Sequence, residues 1–492
     1  MGETRLIVHN HICRLTAATL ALGLVSSCDG PTESPAASPG IHVTAKSMDT
    51  VSTTQTMTVQ VADTAGRPGA DVAVILEVQP ESDYYYPYWL FIARSDSQPF
   101  NTQLTDTTDA RGSVSLRLRF GVRAGVGRLV IRAPSFGFAD TIRFTIMPGA
   151  LDGVTVFPTD TAIYATHGYT LRATATDQFG NSRSDPVSFA VAYGPASADQ
   201  RTGAVTATAI GRAALVAQAG GHNDTAYVSV VPSAWVATQQ FDPGNGGPIG
   251  LFLIQLDGSG KQRLAPGLDN SFIPQGFGWS PDGRELALVR GNIVSLLVPG
   301  DTERVLVRMS NPIVTATRFS RDGEWVYFSV EYSDLATEPE GLYRVRVDGT
   351  GLEHLGRGSR DAFASPSPDG LSLVYVNSVC YPYCIRILDL TTNQDRMYGG
   401  QDVLARGFSV AWSPTEDLIA YDSGSNLMLV HSDGSGARAL RNDVSHVKWM
   451  DWSPDGRWLV VAETGVIVID VQTGLKLPIG QLGSYGATAW RP

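Results

Sequence analysis

"GWSPDGRELAL" (278–288) returns almost unchanged as "DWSPDGRWLVV" (451–461). An Asp-Gly pair between two short apolar runs marks a tight hairpin. Further copies are "FSRDG" (319–323), "PSPDG" (366–370), "WSPTE" (412–416) and a truncated "WRP" (490–492). Successive copies are spaced 40, 47, 46, 40 and 38 residues apart. Periods of this length with four strands each predict a β-propeller, and six copies predict six blades. Within one period "VTATRFS", "EWVYFSV", "GLYRVRV" and "LEHLG" read as the four strands, with "RDG" and "DGTG" as turns. The last copy, "GATAWRP" (486–492), stops after one strand. Far upstream, "AWVATQQF" (234–241), "GLFLIQL" (250–256) and "KQRLA" (261–265) supply strands two to four of a blade that lacks a first. The expectation is that the C-terminal strand completes this blade, closing the ring and removing open sheet edges.

These WSPDG-type repeats resemble those of TolB-like propellers, over about residues 234–492. The resemblance implies a six-bladed ring and a periplasmic protein that binds envelope partners. The helical N-terminal domain of that family has no counterpart here. Similar repeats precede the hydrolase domain of prolyl-oligopeptidase-like enzymes; with the chain stopping at the closing strand, no such domain is expected to follow.

Working outward, residues 41–148 and 150–232 show short alternating β-branched runs broken by Gly, Pro and Asp, the pattern of β-sandwiches. "DTAGRPGADVAV" (63–74) and "TDARGSVSLRL" (108–118) resemble bacterial immunoglobulin-like domains of the invasin kind. "TDQFGNSRSDPVSFAV" (176–191) and "TGAVTATAIGRAALVAQAG" (202–220) resemble a second bacterial immunoglobulin-like subgroup. Such domains imply spacers or adhesive modules. The expected fold is therefore all-β: two immunoglobulin-like sandwiches, then a six-bladed propeller at 234–492. The first sandwich carries an aromatic insertion with Tyr84, Tyr85, Tyr86, Tyr88 and Trp89. It is read first as packing on its own domain, with stacking on a sugar or partner as the functional alternative.

The N-terminus sets the compartment. Arg5 and Arg14 precede the apolar stretch "LTAATLALGLVSS" (15–27), too short for the roughly 20 residues that span a bilayer but suited to a secretory signal. It ends in "VSSC", which resembles the bacterial lipobox. That resemblance implies cleavage after residue 27, acylation of Cys28 and a lipid-anchored protein of the bacterial cell envelope, on the periplasmic or cell-surface side. Residues 28–40, rich in Pro and Ser, read as a flexible tether. Cys380 and Cys384, in "CYPYC", read as a disulfide in an oxidising compartment.

Acidic residues outnumber basic ones, 48 to 37, with no dense basic run, so nucleic acid is not an expected partner. No G-x-S-x-G, H-E-x-x-H, Walker A or dinucleotide pattern is present. The histidines are scattered without metal-ligand spacing, and neither a metal nor a cofactor is expected. The Asp-Gly turns at Asp257, Asp348 and Asp433 read as hairpin turns rather than calcium loops, and the WSPDG aspartates as acceptors of turn N–H groups.

In a four-stranded blade the connections between strands two and three, and from strand four onward, share one end of the ring. There they vary most, and Tyr332, Asp334, Glu338, Glu340, Asp361, Tyr381 and Tyr383 are the candidate binding residues. The expected function is non-catalytic binding of an envelope protein or polysaccharide, the sandwiches acting as spacers. The competing expectations are a propeller lyase or hydrolase acting on polysaccharide in the central funnel, and an adhesin using the sandwiches.

Overall fold

The computed structural model describes residues 38–492 except 80–88, 166, 243–246, 265–275, 302, 311–312, 332–338, 357–360, 378–383, 398–408, 425, 445–446, 464 and 484–486. Among the described residues all regular structure is strand, apart from one 3-10 turn at Pro134–Phe136. These residues form two compact units. One comprises residues up to 155 with 173–187 and 218–223; the other comprises 156–172, 188–217 and 224–492. Strands of the stretch 150–232 are thus shared between the units.

In the first unit, a four-stranded sheet runs in the order Gly40–Thr44, Thr54–Ala62, Ser113–Phe120, Leu90–Ala93. A five-stranded sheet runs Met48–Thr50, Phe138–Met147, Gly125–Ala133, Ala73–Gln79, Gln103–Thr107. Alternation decides which side chains meet. Met57, Val59 and Val61 from one strand and Val74 and Leu76 from another enter one apolar core with Leu116, Leu118, Phe120 and Phe144. Burying each such side chain contributes roughly 1.5–3 kcal/mol. The Asp63 carboxylate accepts the N–H groups of Ala65 and Arg67, and Asp109 accepts those of Arg111 and Ser113, so the two Asp-Gly stretches close as side-chain-bonded turns.

Among its described residues the second unit contains six four-stranded antiparallel sheets. Their first strands are Gly276–Trp279, Ile313–Phe319, Asp361–Pro366, Val410–Trp412, Trp449–Trp452 and Thr488–Trp490. Each first strand touches the next in this order, and the last touches Gly276–Trp279, so the strands close a circle. The closing sheet joins the two ends of the repeat region: Val236 pairs with Trp490, Ala237 with Ala489 and Thr238 with Thr488. This is the pairing expected from the truncated repeat. Apolar side chains of adjacent sheets interdigitate, as where Leu296 and Val294 meet Phe319, Phe328 and Tyr343. The strand Asp160–Tyr164 caps this unit: Ala162 and Tyr164 share a core with Val236, Trp458 and Trp490, and Tyr164 Oη donates to the Ala234 carbonyl at 3.0 Å.

Candidate funnel site at the turn end of the ring

Four of the six repeat motifs place a serine and an aspartate at the end of a first strand. Ser280 is buried; its hydroxyl donates to Asp282 Oδ1 at 2.7 Å and accepts the Glu285 N–H at 2.9 Å. Ser320 with Asp322, Ser367 with Asp369 and Ser453 with Asp455 repeat this arrangement. The Ser280 hydroxyl and the Arg284 N–H hold the Asp282 carboxyl below its ordinary value. Asp257, Asp348 and Asp433 likewise accept N–H groups from Ser259, Thr350 and Ser435. Turn closure therefore occupies these carboxylates, as the sequence implied.

The same strand ends enclose a cavity of about 230 Å³ on the ring axis. Its charged lining residues are Arg318, Arg321 and Asp451. Arg318 reaches across the ring: its Nη1 donates to the Phe277 carbonyl and its Nη2 to the Met450 carbonyl, both at 3.0 Å, and Nη2 lies 3.6 Å from Asp451 Oδ1. Gly278 makes room for it, because a Cβ there would lie 3.3 Å from Arg318 Nη1 and 2.9 Å from the Thr317 carbonyl. Asp451 in turn accepts the Trp490 N–H at 3.0 Å, gripping the closing strand. Arg321 donates through Nε to the Ser367 carbonyl at 3.2 Å and through Nη2 to the Pro366 carbonyl at 2.8 Å. Longer contacts, 3.3 and 3.4 Å, run from Nη2 to the carbonyls of Trp412 and Ser413. Three side chains thereby connect all six first strands.

Burial sets the electrostatics. It pulls the Arg321 guanidinium down to about 10, partly opposed by Asp451 and reinforced by Arg318. Burial also raises the Asp451 carboxyl above the usual carboxylate range, against the pull of Arg318 and of the Trp490 and Trp452 N–H groups. Among the charged side chains that line the cavity, Arg318 is paired with Asp451 and Arg321 is not ion-paired.

The sequence placed binding first at the opposite end of the ring; the central funnel entered only as the site of the competing polysaccharide enzyme, and none of its residues was named. The signal lay in aligning the repeats with one another. The residue before the motif tryptophan is Gly278, Ser365, Ala411 or Ala489 in four copies, but Arg318 and Asp451 in the other two. Two residues after it stand Pro281, Pro368, Pro414, Pro454 and Pro492, with Arg321 as the exception. A ring brings equivalent repeat positions to one axis, so charged departures from a small or proline consensus converge there.

Of the residues expected from sequence, Tyr332, Asp334, Glu338, Tyr381 and Tyr383 lie outside the described residues, as do Cys28, Cys380, Tyr84, Tyr85, Tyr86 and Tyr88. Glu340 is half-buried, and its carbonyl lies 2.9 Å from His354 Nε2. Asp361 begins a first strand and pairs with Asn377. Cys384 is disulfide-bonded. Trp89 packs against the core of the first unit, and its ring fills the space a Cβ at Gly125 would take.

This architecture defines an all-β protein in which a closed ring of four-stranded sheets carries an axial cavity. No protein-family model matches the chain. An uncharacterized protein of Agrobacterium fabrum is 26% identical over 192 residues, which cover 36% of this chain and 62% of that protein, so the chain spans less than two thirds of its relative. Among solved structures, TolB from Acinetobacter baumannii aligns with a TM-score of 0.43 at 16% identity, covering 71% of this chain and 90% of that one. A protein assigned as TolB in Agrobacterium tumefaciens aligns with a TM-score of 0.39 at 15% identity, covering 51% and 89%. A gluconolactonase from Xanthomonas campestris aligns with a TM-score of 0.38 at 14% identity, covering 47% and 83%.

Proposed function

We propose that this chain is a non-catalytic binding protein of the bacterial cell envelope, anchored by a lipid on Cys28. In this reading residues 41–148 and 150–232 are immunoglobulin-like spacers, and 234–492 is a six-bladed TolB-like propeller that binds an envelope protein or polysaccharide. The observation that carries it is the axial cavity. Among the described side chains its one lining carboxylate, Asp451, is engaged by Arg318 and the Trp490 N–H, while Arg321 has no ion-pair partner. A cavity with a committed acid and a fixed cation holds a ligand better than it transfers a proton. Tyr332, Tyr381 and Tyr383 are the proposed second contact.

The test is capture from solubilised envelope by the full chain, by Arg321→Glu, and by a triple Tyr332, Tyr381 and Tyr383 to Ser variant. The expected result is one partner retained by the native chain and lost in Arg321→Glu. Equal retention by all three chains, or none by any, removes the ring-binding reading. Radiolabelled fatty acid incorporated by the native chain but not by Cys28→Ser would support the anchor; equal labelling would overturn it.

A further inference from the structure

We propose that the axial cavity is an oxyanion site in which Arg321 receives a carboxylate or phosphate group of a small ligand. The proposal rests on the ring being a binding module and adds the chemistry of what it binds.

Three observations carry it. The first is charge. Arg318 and Asp451 form a pair, but among the described residues no carboxylate lies within ion-pairing distance of Arg321. Arg321 is half-buried, feels Asp451 only through the longer-range field, and is held by main-chain carbonyls that satisfy hydrogen bonds without neutralising its charge. The second is donor geometry. Of the five N–H groups of a guanidinium, those on Nε and Nη2 of Arg321 face main-chain carbonyls, whereas Nη1 has no partner among the described residues and is not fully buried. The carbonyls hold the plane of the fork, so an incoming oxyanion would meet a pre-organised donor and little side-chain freedom would be lost on binding.

The third observation separates a binding role from a purely structural one. In the other five repeats the equivalent residue is proline, and those first strands take their places in the same circle. Closing the ring does not require an arginine at this position. The volume then limits the ligand. At about 230 Å³ the cavity falls below the roughly 300–1,000 Å³ of sites that enclose drug-sized molecules, so one carboxylate- or phosphate-bearing unit fits.

The experiment is calorimetric titration of the full chain with D-glucuronate, inorganic phosphate and D-glucose at constant ionic strength, in parallel with thermal melts. The expected result is saturable binding and a rise in melting temperature with glucuronate, phosphate or both, and neither with glucose. Which anion binds identifies the source of the group. Arg321→Gln should abolish binding, and Arg321→Lys, which keeps the charge but not the fork, should weaken it roughly tenfold. Asp451→Asn removes the opposing charge and should tighten binding roughly threefold or more. A merely structural arginine would move melting temperatures without moving these affinities. No saturable binding of either anion by the native chain overturns the proposal, as does undiminished binding by Arg321→Gln. Should Arg321→Gln fail to fold, unchanged affinity in both Arg321→Lys and Asp451→Asn overturns it. Partner capture without an anion response would remove this proposal and leave the binding-module reading standing; an anion response without capture would do the reverse.

Discussion

The first unit and the ring are built from the same alternating strands, yet they treat charge in opposite ways. In the first unit the buried polar side chains Gln55, Thr108 and Asp177 are held by hydrogen bonds, and the arginine–carboxylate pairs lie outside the apolar cluster: Arg132 with Glu77, for example, keeps 44% and 36% of its side-chain surfaces exposed. In the ring, Arg318 and Asp451 keep 14% and 21%, and they sit on the axis. A sandwich closes its core with two facing sheets and needs no ion pair there. A ring of sheets leaves main-chain carbonyls of the first strands facing its axis, and the arginines satisfy them.

The strongest way to break this contrast is to open the ring. Deleting residues 486–492 removes buried Ala487, Thr488, Ala489 and Trp490 and exposes the edge of Trp235–Asp242, while leaving the first unit intact. Melting followed by circular dichroism, with sedimentation, should show the ring transition lost or the protein aggregated. Trp490→Ala alone should cost about 3–5 kcal/mol. An unchanged melt would show that the closing strand is dispensable.

Next come the ion pairs themselves. Arg318→Ala leaves the Asp451 carboxylate buried without its partner and should cost about 3–5 kcal/mol in urea unfolding. Arg132→Ala, at an exposed pair, should cost less than about 1 kcal/mol. Similar costs at the two sites would erase the contrast between the two units.

Smaller effects are expected at two glycines with almost the same backbone angle. Gly137, in the first unit, has φ +69°, and a Cβ there would meet nothing within 4 Å, so Gly137→Ala should cost about 1–2 kcal/mol from the left-handed conformation alone. Gly283, in the ring, has φ +68°, and a Cβ would lie 2.8 Å from the Pro492 carbonyl. Gly283→Ala should therefore exceed Gly137→Ala in urea melts; equality would mean that the terminus yields without cost.

The subtlest expectation concerns acid. Burial tends to raise the Asp177 carboxyl, but hydrogen bonds from the Asn181 side chain and the Gly149, Asn181 and Phe179 N–H groups outweigh it and hold the group low. Its stabilisation is complete above 3.8 and is lost as pH falls through the depressed value. Asp451 is raised instead, so its ionisation opposes folding above the raised value, and that penalty disappears as pH falls to 3.8 and below. In pH-dependent unfolding, the deficit of Asp177→Asn relative to the native chain should shrink in acid, whereas any advantage of Asp451→Asn should shrink instead. Curves that shift together would contradict the opposite signs.

Much of the ring was legible because its signals are local and repeated. Asp-Gly turns, apolar alternation and the spacing of the motif located the strands, and the incomplete last copy indicated which segments meet. Residues 234–241 and 486–492 needed no long-range information beyond counting strands. The candidate site was not legible in the same way. Arg318 and Asp451 belong to different repeats, and Arg321 stands in what reads as a turn. Trp89, by contrast, packs on the core of its own unit, the first of the two readings its aromatic stretch allowed.

The sequence by itself determined that this protein is made of β-strands, where its turns fall and that its last strand belongs with residues 234–241, because side-chain alternation and turn chemistry act between near neighbours. Only the tertiary structure decided that one arginine crosses the ring to an aspartate, that a second ties two neighbouring strands while keeping a donor open, and that the two enclose a cavity. Closure of the ring brings equivalent positions of distant repeats within hydrogen-bonding reach, and no feature of a single repeat specifies which of them will carry charge.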